Sequence, residues 1–235
     1  MFSLSISITP EAINSIESDL TKSLSEIKAS HRAEALARGL GFSTYASMLA
    51  ASESGSGSIA MFNWIVADEY LKTHGFTAPM EPFFVAIGRV AIQQLLVREA
   101  QLTMDGIGIS TLYGKKENDK ERTTRFQGRR KEFLGDYAVK QFLRALAFVS
   151  CIRPIKSINE KINSYRLKHM AEKFACTYPD GHRLGPAYVA NGALVAAAIQ
   201  AGFQYQDDGT PTNVTFNMSQ ESIDDLHTQK SVQAA

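Results

Sequence analysis

Two apolar stretches constrain this chain more than any other feature. Residues 83–97 carry Phe83, Phe84, Ile87, Val90, Leu95 and Leu96, and residues 187–201 carry a run of alanine, valine and leucine. Neither reads as a membrane span. Arg89, Gln93 and Gln94 interrupt the first and Asn191 and Gln200 the second, short of the ~20 apolar residues a span requires. The 235 residues, 44% hydrophobic and 21% charged, supply one large packed domain or two small ones.

Helical periodicity dominates the rest. Ile13, Ile16, Leu20, Leu24 and Ile27 make one apolar stripe, introduced by Thr9 as N-cap and Pro10 at the first helical position. Two short helices over 30–50 are joined at Gly39 and Gly41, the second capped by Ser43. Further helices are predicted over 60–73, from Pro82 to about Met104, over 129–152 until Pro154, and over 187–201. The capping-box match Ser157-Ile-Asn-Glu160 predicts another, running to about Ala175. Alternation at 2–8 and 214–218 predicts two short strands, and an arrangement that pairs 2–8 with 213–218 needs helix packing or a third strand such as 107–113 to hold it.

The expected fold class is mainly α, a multi-helix domain with a small N-terminal helical unit and a minor β element from the chain ends. The expected division is a strand-plus-hairpin unit over 1–51, a Ser/Gly linker over 52–58, a main helical domain over 59–203, and a tail with a short strand over 204–235.

The formal net charge of +1 conceals an asymmetry. Residues 115–183 hold 17 Lys and Arg against 8 Asp and Glu, and the remainder holds 8 against 16. The densest segment carries Lys115, Lys116, Lys120, Arg122, Arg125, Arg129, Arg130 and Lys131 with three acids and Phe126. Cations interleaved with an aromatic suit nucleic acid, where phosphates pair and bases stack. The competing reading is a solvated helix whose charges serve solubility, with Phe126 as an anchor. Lys161, Arg166, Lys168, His169 and Lys173 add a second basic stretch. In contrast, Asp136, Lys140 and Arg144 read as a helix-surface ion-pair trio.

Catalytic and metal motifs are missing. Cys151, His169, Cys176 and His182 have no ligand-pair spacing for zinc, and a nucleophilic Cys–His pair among them has no local support. Gly106-Ile-Gly108 lacks the third glycine of a dinucleotide loop, and the Lys115 region lacks the Gly-Lys-Ser/Thr ending of a phosphate loop. No cofactor, metal or catalytic residue is expected. Two unpaired cysteines and no secretory leader pattern point to the cytoplasm. Residues 31–50 meet some helix-turn-helix positions, but Glu34 and Arg38 stand where buried apolar groups are wanted, which favours a plain helical hairpin. Asn191-Gly192, with Ala190, Ala193 and Ala196–Ala198, makes a small-residue surface for tight helix contact, within the fold or across a homodimer.

Two stretches resemble uncharacterised accessory proteins of bacterial plasmids and integrative mobile elements. They are Ser30-His-Arg-Ala-Glu-Ala-Leu-Ala-Arg-Gly-Leu-Gly-Phe-Ser-Thr-Tyr45, and Tyr165-Arg-Leu-Lys-His-Met-Ala-Glu-Lys-Phe174 together with 188–203. The resemblance covers about a quarter of the chain and brings no site residues. It implies a mobile-element cargo or maintenance protein that handles nucleic acid or acts against host defence. The expected function is non-catalytic nucleic-acid binding through 115–131 and 153–173. The alternative is a protein-binding, anti-CRISPR-like inhibitor of a host defence complex, with a Cys/His-dependent enzyme third.

Overall fold

The computed structural model describes residues 2–54, 57–112 and 116–233, with side chains to Leu226. The chain is mainly α with a minor β element, 53% helical and 14% strand, with ten helices among the described residues. In order these are β1 (Ser5–Ser7), α1 (Pro10–Ser23), α2 (Ala29–Gly39), α3 (Tyr45–Glu53), β2 (Ile59–Met61), α4 (Trp64–Thr73), α5 (Glu81–Arg98), β3 (Leu102–Thr103), β4 (Gly106–Ile107), α6 (Asp119–Glu132), α7 (Asp136–Val149), β5 (Pro154–Asn163), α8 (Ser164–Glu172), α9 (Asn191–Gln200), β6 (Tyr205–Asp207), β7 (Val214–Met218) and α10 (Gln220–Gln233).

Contacts divide the chain into two compact units. One comprises Phe2–Gln94 with Thr177–Arg183, and the other comprises Leu95–Cys176 with the chain from Leu184 onward.

In the first unit the opening residues fold as their pattern dictates. The Thr9 side chain accepts from the Ala12 N–H at 3.2 Å, Pro10 starts α1, and Ile13, Ile16, Leu20, Leu24 and Ile27 are all buried. β1 pairs antiparallel with β2, Ile6 opposite Ala60, rather than with the C-terminal strand. Its other edge is closed by one side chain: the Ser7 N–H donates to Gln94 Oε1 at 2.9 Å, and Gln94 Nε2 donates to the Ser7 carbonyl at 2.8 Å. This pairing joins the segments on either side of 52–58. Ser52 and Glu53 close α3, and residues 55 and 56 lie outside the described residues. The predicted 60–73 helix begins only at Trp64, because Ile59–Met61 are taken up by the strand pairing.

Glu34 and Arg38, which spoke against a helix-turn-helix, have structural work. Glu34 Oε2 accepts from the Tyr45 N–H at 2.8 Å, and the Arg38 guanidinium lies over the Tyr70 ring. Thr44, not Ser43, caps α3, in a reciprocal capping box with Ser47. The helix it opens carries no cation.

In the second unit α7 and α9 pack together at the core. Ten α7 residues are buried, Phe142, Leu143, Leu146 and Phe148 among them. The predicted single helix over 129–152 is two helices. The Phe133, Leu134 and Gly135 N–H groups bond three residues back instead of four, which tightens and ends α6 before α7 begins.

The predicted helix from Ser157 is overturned. Residues 154–163 form β5, an edge of a three-stranded sheet ordered β5-β7-β6. β7 is buried at all five positions and so needs backbone partners on both edges. Asn159 Nδ2 donates to the Met218 carbonyl at 3.1 Å, and Asn217 Nδ2 donates to the Ile155 carbonyl at 2.9 Å. Long-range pairing of a β-branched segment outweighs a four-residue cap signal. The helix starts at Ser164 instead, where Asn163 accepts from the Arg166 N–H at 3.1 Å.

Candidate nucleic-acid interface

Of the nine residues singled out in the basic segment, Lys115 lies outside the described residues. The other eight fall on α6 or immediately before it. The helix opens with a capping box: the Glu121 N–H donates to Asn118 Oδ1 at 2.9 Å, and the Asn118 N–H donates to Glu121 Oε2 at 3.0 Å. None of its 14 residues is buried. A helix polar on every side cannot be held by an apolar face, so it needs other ties.

Three arginines supply them. Arg125 donates two hydrogen bonds to Glu117, 2.8 Å from Nε and 2.7 Å from Nη2. Arg129 donates to Asp105 Oδ1 from Nε at 2.8 Å and from Nη2 at 2.5 Å, and its Nη1 reaches Glu132. Arg130 uses no carboxylate. Its Nη1 donates to the carbonyls of Glu99 (3.2 Å), Ala100 (2.7 Å) and Leu102 (2.8 Å), and its Nη2 to that of Leu96. It thus satisfies the Leu96 carbonyl in the last turn of α5 and ties it to the carbonyls of the segment that follows, where a positive charge also meets the negative end of the helix dipole. The same guanidinium sits over the Phe126 ring, 5.6 Å from its centroid.

The electrostatics follow these pairings. The Arg125 hydrogen bond holds Glu117 below its usual range. Burial pushes Asp105 up, but hydrogen bonds from Arg129 and Ser110 outweigh it and leave the carboxyl lowered. For Arg129, burial is outweighed by Asp105, and the guanidinium is raised. Arg130, with no carboxylate beside it, is lowered by burial, though guanidinium stays charged at any physiological pH.

The Asp105 anchor is itself fixed. Asn191 Nδ2 donates to the Asp105 carbonyl at 2.9 Å, and the Gly192 N–H donates to the Met104 carbonyl at 3.0 Å. A Cβ on Gly192 would lie 1.8 Å from the Thr103 carbonyl oxygen, so only glycine lets the β3–β4 hairpin sit against the start of α9. A tight contact was expected of Asn191-Gly192, but between helices; the partner of Gly192 is a hairpin, and the helix predicted over 187–201 begins only at Asn191. The contact lies within the fold, and residues 191–198 are all buried there.

Lys116, Lys120, Arg122 and Lys131 remain. All are exposed, and among the described residues none forms an ion pair. Arg122, Thr123 and Phe126 line a shallow recess of about 260 Å³ with Gln101, Gly108 and Ile109.

The second basic stretch divides similarly. Lys156, Lys161, Arg166 and Lys173 are exposed, and Arg153 pairs with Glu221 at 2.5 Å. Lys168 is buried, 2.8 Å from Glu172, and its ammonium lies over the rings of Tyr165 and Tyr188. Arg144 is no member of a surface trio, since its guanidinium donates to the Leu184 and Tyr188 carbonyls at 2.7 and 3.2 Å.

Two concavities had no signal in the sequence because their walls are far apart along the chain. On the α2–α4 face, His31 Nδ1 lies 3.1 Å from the Tyr70 hydroxyl, and the His74 ring stacks beside both. A cavity of about 480 Å³ has Phe148, Ile162, Met170 and Ile223 as its apolar floor and Arg166, His169 and Lys173 at its rim. His169 is held by Glu172 at 2.7 Å, and His182 lies 3.1 Å from Asp180. Among the described residues no group of three His, Cys, Asp or Glu side chains could hold a metal. Among them too, no helix is long and apolar enough to cross a membrane.

Compared with known proteins, the chain matches no family model, no curated protein and no solved structure.

Proposed function

We propose that this chain is a non-catalytic nucleic-acid-binding protein whose contact surface is the outer side of α6. The observation that carries this reading is the division of labour among its cations. Arg125, Arg129 and Arg130 are spent on carboxylates and carbonyls of the same chain, so they position the helix. Among the described residues Lys116, Lys120 and Lys131 form no ion pair and face water. A helix fixed at the surface with unneutralised cations outward is suited to the phosphate backbone. The mobile-element setting belongs to the same proposal and rests on the sequence resemblance.

The test is fluorescence anisotropy with labelled single- and double-stranded DNA and RNA, from low to physiological salt. The reading expects salt-sensitive binding that weakens at least tenfold when Lys120 and Lys131 are both changed to Ala. Absence of binding to every probe at low salt overturns it.

A further inference from the structure

Resting on that reading, we infer that α6 is a groove-reading helix for B-form duplex DNA, with Lys120, Thr124, Gln127 and Lys131 as its contact row and Gly128 as its point of close approach. At about 100° per residue these four side chains fall within an arc of about 60°. Arg125, Arg129 and Arg130, the tethers, fall on the other sides of the helix. The acids leave the row clear. Asp119, Glu121 and Glu132 stand about 90° or more away from its centre by the same geometry. Glu121 is turned to the Asn118 N–H, and Glu132 is held by Arg129.

The composition of the row fits an edge-reading surface better than a solubilising one. The two lysines bracket it, about 16 Å apart along the axis at 1.5 Å per residue. At opposite ends of the helix they can reach phosphates at separate points along the groove. Between them, Gln127 is exposed and offers the paired donor and acceptor that match adenine in that groove. The Thr124 hydroxyl donates to the Lys120 carbonyl at 2.9 Å, which leaves its oxygen to accept from a base amino group.

Gly128 is the independent observation. Glycine inside a helix costs about 1 kcal/mol relative to alanine, and here neither conformation nor packing requires it. The residue has ordinary helical geometry, and a Cβ there would meet nothing within 4 Å. It stands beside the contact row, where bare backbone lets a partner come close. A-form RNA hides its edges in a deep, narrow major groove that a helix does not enter, so DNA is the partner this surface selects.

Wild type, Gly128→Leu and Gln127→Ala are each titrated by anisotropy with a 30-base-pair random-sequence DNA duplex, an RNA duplex of the same length and a single strand. The expected result is DNA-duplex binding at least tenfold tighter than RNA-duplex or single-strand binding. Gly128→Leu should weaken it at least tenfold while raising the melting temperature. Gln127→Ala should leave random-sequence affinity within twofold but erase the consensus that wild type selects from the pool. Duplex affinity unchanged in Gly128→Leu, no consensus selected by wild type, or preference for RNA or single strands overturns this inference and leaves the broader reading standing. Failure to bind any of the three overturns both.

Discussion

α6 and α7 are consecutive helices of equal length, 14 residues each, and they are held by opposite means. Ten residues of α7 are buried and none of α6. α7 stays in place because leaving would expose Phe142, Leu143, Leu146 and Phe148, each a loss of about 1.5–3 kcal/mol of apolar burial. α6 stays because Arg129 finds a carboxylate and Arg130 finds a cluster of backbone carbonyls. The difference teaches how a surface can be presented without an apolar face. The anchoring cations use their donors inward, and Lys120 and Lys131 are left exposed.

This contrast can be broken most severely on the buried side. Phe142→Ala should destabilise the protein by about 3–5 kcal/mol, since the side chain is fully enclosed. Gly192→Ala should cost roughly 3 kcal/mol or more, because the new Cβ collides with backbone rather than with a movable side chain. Urea unfolding measures both. A loss below about 1 kcal/mol for either would show that the α7–α9 core is not packed as described.

On the ionic side the effects are smaller and local. Arg130→Ala should cost about 1–2 kcal/mol, by leaving the carbonyls of Leu96, Ala100 and Leu102 without their donor. Amide exchange should quicken through 119–132 and stay slow through 138–149. Equal acceleration in both helices would contradict separate anchoring.

Acid should loosen the same side first. The Asp105 carboxyl is lowered in the folded chain, so its contribution is fully present above the unfolded value of about 3.9. It is lost as pH falls further, through the depressed folded value. Glu117, also lowered, adds to the same window. Protection of the α6 amides should therefore fall before that of α7 as pH drops below about 4, and Asp105→Asn should reduce that pH dependence. The smallest effect belongs to Lys120→Ala with Lys131→Ala, which should change stability by less than about 0.5 kcal/mol.

The same contrast explains how much could be read from the residues alone. The start of α1 was legible, because Thr9, Pro10 and the stripe from Ile13 to Leu20 are local signals, but its end was not: α1 stops at Ser23, and Leu24 and Ile27 are buried from the turn that follows. The close approach at Gly192 was legible from the cost of glycine in an apolar run, though its partner hairpin was not. β5 was misread because its partner β7 lies more than 50 residues away and leaves no mark near Ser157. In the basic segment the charge was plain, but its division was hidden. Nothing in the sequence distinguishes Arg130 from Lys131, since the groups that hold Arg130 are backbone carbonyls, identical in every residue.

The central claim is that the outward lysines of α6 meet phosphate. The most direct measurement is the slope of log affinity against log salt for a DNA duplex, wild type against Lys120→Ala/Lys131→Ala. Two lost phosphate contacts should shrink that slope by about 1.8, at roughly 0.9 per contact. An unchanged slope in a variant that still binds would place the contact surface elsewhere and contradict the account.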